Sequence, residues 1–163
     1  MTSKSISKVL EIENCPKDKL LEAIYKAEFW EAISPVSQIE AQMVAPNVLS
    51  SKIVDNIKVI NIPIEMDGEL VLIDKGDEEG KGHLIELNVR KNENMKKFEG
   101  NLRIKALSST KSKVGVFIHK FILSNDFLTL FGGAAELTLR SKLSDGLRNL
   151  EKYCKSNDLS DFL

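Results

Sequence analysis

Sulfur and imidazole are scarce in this chain, which has two cysteines and two histidines in 163 residues. Cys15 and Cys154 are too few for a disulfide scaffold or a four-sulfur metal site, and with only His83 and His119 beside them no metal-ligand spacing appears. Two buried or half-buried thiols are expected. The alternative is one staple between the end of the first strand and the last helix, a pairing that suits an intracellular protein of a hyperthermophile. An excess of one charge is also missing. Twenty-three basic against 24 acidic residues leave a net charge of −1 and a pI near 6.2, so no bulk field favours nucleic acid as a partner. No run approaches the roughly 20 apolar residues that span a bilayer. The polar opening Met1-Thr2-Ser3-Lys4-Ser5 lacks the apolar stretch of a secretory signal. Stable membrane insertion is therefore not expected, the cytoplasm is the expected location, and no cofactor is implied. What is present, 42% hydrophobic and 29% charged residues, is the balance of one ordinary soluble domain over residues 1–163.

The hydrophobic period changes along the chain. Ile6, Lys8, Leu10 and Ile12 alternate with Ser7, Val9, Glu11 and Glu13, which predicts a strand ended by Asn14-Cys15-Pro16. A helical segment follows. Pro16 suits its first turn and Asp18 its positive end, while Leu20, Leu21, Ile24, Ala27, Phe29 and Ala32 recur at helical spacing up to Ser34-Pro35. A break in this segment is expected near Glu28 to Glu31. Six β-branched, alternating segments come next, at 37–44, 52–61, 64–74, 82–91, 96–107 and 113–124. The pieces between them, including the turn-rich Asp74 to Gly82, are too short for parallel crossovers, so the sheet is expected to be antiparallel.

From Asn125 or Asp126 to about Ser156 a second helical period runs without proline. Phe131, Ala135, Leu139, Leu143, Leu147, Leu150 and Cys154 form one stripe; Arg140, Lys142, Asp145, Arg148, Glu151 and Lys152 cover the remaining faces of the C-terminal half. Leu130, Ala134 and Leu137 make a second stripe, expected to be covered by the small helices around Phe29 and Trp30. The helix is long enough to lie across a seven-stranded sheet and bury its main stripe there.

The order strand, helix pair, six strands, long terminal helix resembles the helix-grip fold of the START and pollen-allergen-like superfamily, also called SRPBCC. The likeness rests on the opening strand followed by CPKDKLLEAI, the phrase FWEAISPVSQIE, the strand GNLRIKAL and the terminal FGGAAELTLRSKLSDGLRNLEKY. Phe29, Trp30 and Pro35 fit the position where an aromatic residue precedes the proline that ends the small helices. The resemblance implies an α+β fold with a curved, seven-stranded antiparallel sheet, two small helices after the first strand and a long C-terminal helix packed across the sheet. It also implies an apolar cavity between sheet and helix; members include coenzyme-Q-binding proteins, polyketide cyclases and lipid-transfer domains.

Strand parity suggests the cavity lining. Glu86, Asn88 and Arg90 share one face of their strand, which sends His83, Ile85, Leu87 and Val89 inward. In the next strand Phe98, Gly100, Leu102 and Ile104 point inward, opposite Glu99, Asn101, Arg103 and Lys105. Residues 113–124 are apolar on both faces, and Lys120 decides: it shares a face with Val116 and Ile118, so Phe117, His119 and Phe121 are placed inside. Val114, Val116, Ile118 and Ile122 then form an outward patch suited to a homodimer. The competing parity, with Lys120 snorkelling at a rim, stays open. Trp30, Phe131, Ala135 and Leu139 complete the expected lining.

Binding or carriage of a hydrophobic small molecule, such as a lipid, isoprenoid quinone or polycyclic compound, is the leading expectation. A polyketide cyclase or dehydratase is the second, and it needs convergent polar groups from His119, His83, Tyr25, Asp55 and Asn56. A co-chaperone-like interaction module with a small cavity is the third. No nucleophile or paired carboxylate stands at catalytic spacing, so no catalytic residue is assigned. Glu65, Asp67 and Glu69 read as a solvated face near a bend.

Overall fold

The computed structural model describes residues 5–57, 62–92, 95–124 and 134–163. Strand β1 (Ile6–Glu13) buries Ile6 and Ile12. It ends at Asn14, whose positive φ of 54° is one that asparagine tolerates, and the Asn14 side chain donates to the Cys154 carbonyl at 2.7 Å. Helix α1 (Lys17–Ala23) starts directly after Pro16, with Asp18 in its first turn, and α2 (Ala27–Ile33) follows. The break lies at Ile24–Lys26 rather than near Glu28 to Glu31. It is held there by the Trp30 indole, which donates to the Ile24 carbonyl at 2.7 Å.

Six strands then run as a meander: β2 (Gln38–Ala45), β3 (Val48–Ile57), β4 (Ile62–Glu78), β5 (Gly82–Arg90), β6 (Met95–Ala106) and β7 (Lys111–Leu123). With β1 added beside β7, the sheet has the order β1-β7-β6-β5-β4-β3-β2, antiparallel at every step. Helix α3 (Ala135–Ser156) and a terminal 3-10 turn (Leu159–Phe162) complete the chain. The expected start of this helix at Asn125 or Asp126 lies outside the described residues. No helix among the described residues is long and apolar enough to cross a membrane.

Of the register shifts in the sheet, two change the reading of the sequence most. In β4 the pairing skips Lys75, and the Gly76 amide donates to Asp74 Oδ1 at 2.8 Å. The strand therefore continues through Glu78, and the turn occupies only Glu79–Lys81 instead of Asp74 to Gly82. The second bulge is in β7. Ile118 pairs with Gly100 and Lys120 with Glu99, which leaves His119 as the extra residue and reverses the faces beyond it.

That reversal corrects the reading of β7. Val114 and Ile118 are buried at 1% and 0% exposure, and Val116 packs against the same core. The outward Val114, Val116, Ile118, Ile122 face therefore does not form. Past the bulge, Phe121 and Leu123 are buried while Lys120 lies opposite Glu99. His119 is exposed, and Phe117 stands half-buried on the outer face with its ring against Gly115 and Val9. Lys120 shares no face with Ile118, because the extra residue lies between them.

The core falls into two clusters. The larger joins Ile12, Leu20, Ile24 and Phe29 to Ile85, Ile104, Leu147, Leu150 and Leu159. The smaller joins Ile6, Ile64, Ile118, Phe121 and Leu123, with Leu139 and Leu143 of α3 packed on it. Cys15 and Cys154 are free, buried thiols in the larger cluster. Their mutual hydrogen bond and their burial push the Cys15 thiol up, so it stays protonated.

Asp158 caps the terminal turn. Its Oδ1 accepts from the Ser160 amide at 2.8 Å and from Lys19 Nζ at 3.0 Å. The Ser160 amide and hydroxyl, then Lys19, lower its carboxyl pKa to about 2 from the usual 3.8. A depressed folded value means the stabilisation is complete above the ordinary value and is lost as pH falls through the folded one. Asp158→Ala is expected to lower the Tm at neutral pH, by a margin that shrinks as pH approaches 2. Thermal melts over that range check this, and a margin independent of pH would remove the assignment.

Candidate ligand cavity

Between the sheet and α3 the side chains do not close the space. One cavity of about 320 Å³ is walled by Leu20, Ile24, Phe29, Trp30 and Ile33 of the small helices, by the inner faces of β2 to β7, and by Leu143, Gly146, Leu147 and Leu150 of α3. A second, of about 300 Å³, lies toward the N-terminal end of α3, among Ile64, Phe121, Leu123, Ala135 and Leu139. The two share Ser34, Pro35, Ile53, Met66, Met95, Lys142 and Leu143 as walls, so they adjoin. Each is about twice the volume of an engineered apolar void that admits benzene, and each reaches the range of small-molecule sites.

The sequence-expected lining divides accordingly. Trp30, Leu87, Val89, Phe98 and Leu102 line the first cavity; Phe121, Ala135 and Leu139 line the second. Ile85 and Ile104 share the inner face but are wholly buried in the larger cluster, away from either cavity. Phe117 and His119 lie on the outer side for the reason given by the bulge, and Phe131 lies outside the described residues. His83 is held beside the turn that joins β4 to β5, where Nε2 meets Asp74 Oδ1 at 2.6 Å and Nδ1 stands 3.5 Å from Asp77. Asp77 is in turn bound by Lys17, whose hydrogen bond holds its carboxyl below the usual range. Of the other polar groups considered for chemistry, Asn56 is exposed and Tyr25 packs against the core; only Asp55 reaches a cavity. Leu137, placed in the second stripe, is 65% exposed.

Polar groups in the walls are few. Glu69 lines the first cavity, and its side chain accepts from Arg90 Nε at 2.7 Å. That hydrogen bond, with Lys91 nearby, holds the Glu69 carboxyl below its ordinary value. A general acid needs the opposite shift, so Glu69 is a poor proton donor at neutral pH. Among the described residues no three His, Cys, Asp or Glu side chains gather where they could hold a metal ion.

The group missed by the sequence reading is at the shared wall. Lys142 Nζ donates to the Pro35 carbonyl at 2.7 Å and pairs with Asp55 Oδ2 at 2.5 Å. Asp55 Oδ1 accepts from the Ser37 amide at 3.2 Å and hydroxyl at 3.3 Å. By sequence pattern Lys142 belongs to the polar faces that remain beside the apolar stripe of its helix. Its spacing of three from Leu139 and four from Gly146 places it on the flank of the inner stripe.

No protein-family model matches the chain, and no curated protein matches it in sequence. Solved structures do. A START superfamily protein from Mycobacterium smegmatis superimposes with a TM-score of 0.69 at 12% identity, over 94% of this chain and 98% of that one. The fold is the START-like helix grip. The Zhui aromatase/cyclase from a Streptomyces species shares it, with a TM-score of 0.61 at 10% identity over 99% and 93% of the two chains. So does a conserved protein from Geobacillus kaustophilus, with a TM-score of 0.60 at 8% identity over 95% of each chain. At these identities the likeness is one of fold. In this helix-grip chain β2 to β7 and α3 wall the first cavity, with α1 and α2 closing one side of it, while β3, β4, β6, β7 and α3 wall the second.

Proposed function

We propose that this protein binds and carries a hydrophobic small molecule, of the lipid, isoprenoid quinone or polycyclic class, in the space between the sheet and α3. The observation that carries the reading is the pair of adjoining apolar cavities of about 320 and 300 Å³. Apolar walls supply binding free energy at about 25 cal/mol per Å² of surface removed from water. A core that could have been filled by larger side chains is instead left open where two clusters meet.

The START superfamily and aromatase/cyclase neighbours are consistent with either carriage or cyclase chemistry. Carriage is favoured because His119 and His83 do not reach the cavities and Glu69 is tuned away from proton donation. An interaction module is less well supported, since the apolar β7 face invoked for it is interior.

Native mass spectrometry of freshly purified protein, followed by denaturing extraction, tests the reading. A retained apolar molecule that leaves on denaturation is the expected result. Trp30 is the chain's one tryptophan and lines the first cavity, so its fluorescence is expected to shift when an apolar compound is added. Empty protein whose Trp30 emission ignores every apolar probe would overturn the proposal.

A further inference from the structure

Thr138 stands one helical turn before Lys142 on α3 and lines the second cavity. Its Oγ1 is buried and, among the described residues, has no hydrogen-bond partner. A buried hydroxyl left without a partner is costly, and in a native structure such an atom calls for an explanation, a bound water or ligand among them. Lys142, four residues on, is the shared wall of both cavities. An ammonium has three protons to donate. The Pro35 carbonyl and Asp55 take two of them, which leaves a third, on a side chain one helical turn from Thr138 in the wall of the same cavity.

The charge at this point is already balanced. Asp55 pairs with Lys142, and the remaining oxygen of Asp55 is taken by Ser37. An anionic headgroup would have to compete with Asp55 for the ammonium and would face that carboxylate across an apolar space. An uncharged oxygen meets no such opposition. A carbonyl has two lone pairs, and can accept from the Thr138 hydroxyl and the third Lys142 proton together.

Resting on the carrier reading above, we infer that Thr138 and Lys142 form a polar anchor between the two cavities, and that the ligand is an elongated apolar molecule with an uncharged oxygen acceptor in its middle. The acceptor is a ketone, ester or similar carbonyl; one apolar limb enters each cavity. A terminal carboxylate, as in a free fatty acid, does not fit this arrangement.

The test uses the full chain and three probes of equal carbon number: dipentyl ketone, undecane and undecanoate, each titrated by Trp30 fluorescence at neutral pH. The ketone is expected to bind about tenfold more tightly than undecane, the size of effect expected when a partner is supplied to buried polar groups. Thr138→Val keeps the shape, and is expected to weaken the ketone several-fold while leaving undecane unchanged. Lys142→Met combined with Asp55→Leu removes both charges together, so no unpaired charge is buried, and is expected to bring the ketone close to undecane. This second variant keeps the test decisive if either side chain matters to folding.

Equal binding of ketone and undecane would overturn the anchor and leave the carrier reading standing. Undecanoate binding more tightly than the ketone, with the advantage lost in the double variant, would overturn the uncharged-ligand assignment in favour of an anionic headgroup. Failure of all three probes would overturn the anchor and the carrier reading together.

Discussion

Replacing Phe29 with alanine is expected to cost about 3–5 kcal/mol of folding stability, the range for removal of a large aromatic ring from a core. Phe29 is 2% exposed. Its ring meets Trp30 edge-on at a centroid distance of 5.5 Å and Phe162 at 5.7 Å, and Phe162 stacks on Tyr153 at 4.9 Å. One side chain of α2 therefore ties the terminal turn and α3 to the small helices. The vacated space would open directly onto the first cavity, which Phe29 lines. Urea denaturation checks the value through a shift of midpoint at constant slope. A loss under about 1 kcal/mol would mean that the helix pair is held by other contacts and that this ring only borders the cavity. Phe162→Ala is expected to cost less, because that ring is half-buried.

The order of elements was legible because the period changes cleanly at Pro16, Pro35 and the short turns, and because β5 and β6 carry charged residues on one face. Glu86 and Arg90 declare the outer side of β5, so Leu87 and Val89 could be placed at the cavity from spacing alone. In β7 the same rule fails because it assumes an unbroken pleat. Val114, Val116 and Ile118 on one parity and Phe121 and Leu123 on the other can both be inner only if one residue between them is extra. His119 is that residue. The partner side shows why the bulge sits there. A side chain at Gly100 would put its Cβ 2.6 Å from the Phe117 carbonyl oxygen, so only glycine allows the two backbones this close. A strand apolar on both parities with a glycine opposite its middle was the available signal.

The anchor at Thr138 and Lys142 was harder to see for a different reason. Both lie on the flank of an apolar stripe, where a helix presents residues to solvent or to the core according to what packs beside it. Only the arrival of Pro35 and Asp55, more than 80 residues earlier in the chain, turns Lys142 inward. Tertiary pairing of that kind leaves no local period.

The sharpest separation between a carrier and a side-chain-filled scaffold is expected from Leu143→Trp. Leu143 lines both cavities and is half-buried on the inner stripe of α3. In a close-packed core so large a ring would force strain of about 1–3 kcal/mol. Here the indole can enter space that is already open, and its added apolar burial offsets the rotamer cost, so a change in stability within about 1 kcal/mol is expected. Ligand binding is expected to fall by about 100-fold or more, because the ring would fill space at the wall the two cavities share and hinder both limbs of the molecule at once. Leu137→Trp is the matched control: Leu137 is 65% exposed on the same helix, and neither stability nor binding should move. Calorimetric titration with dipentyl ketone is suited to both variants, since it does not depend on Trp30 emission. If Leu143→Trp were strongly destabilised, the space would already be filled in solution. If it bound the probe as well as the parent does, the ligand would have to lie elsewhere, and the exposed outer face of the sheet around Val9 and Phe117 would become the surface to examine.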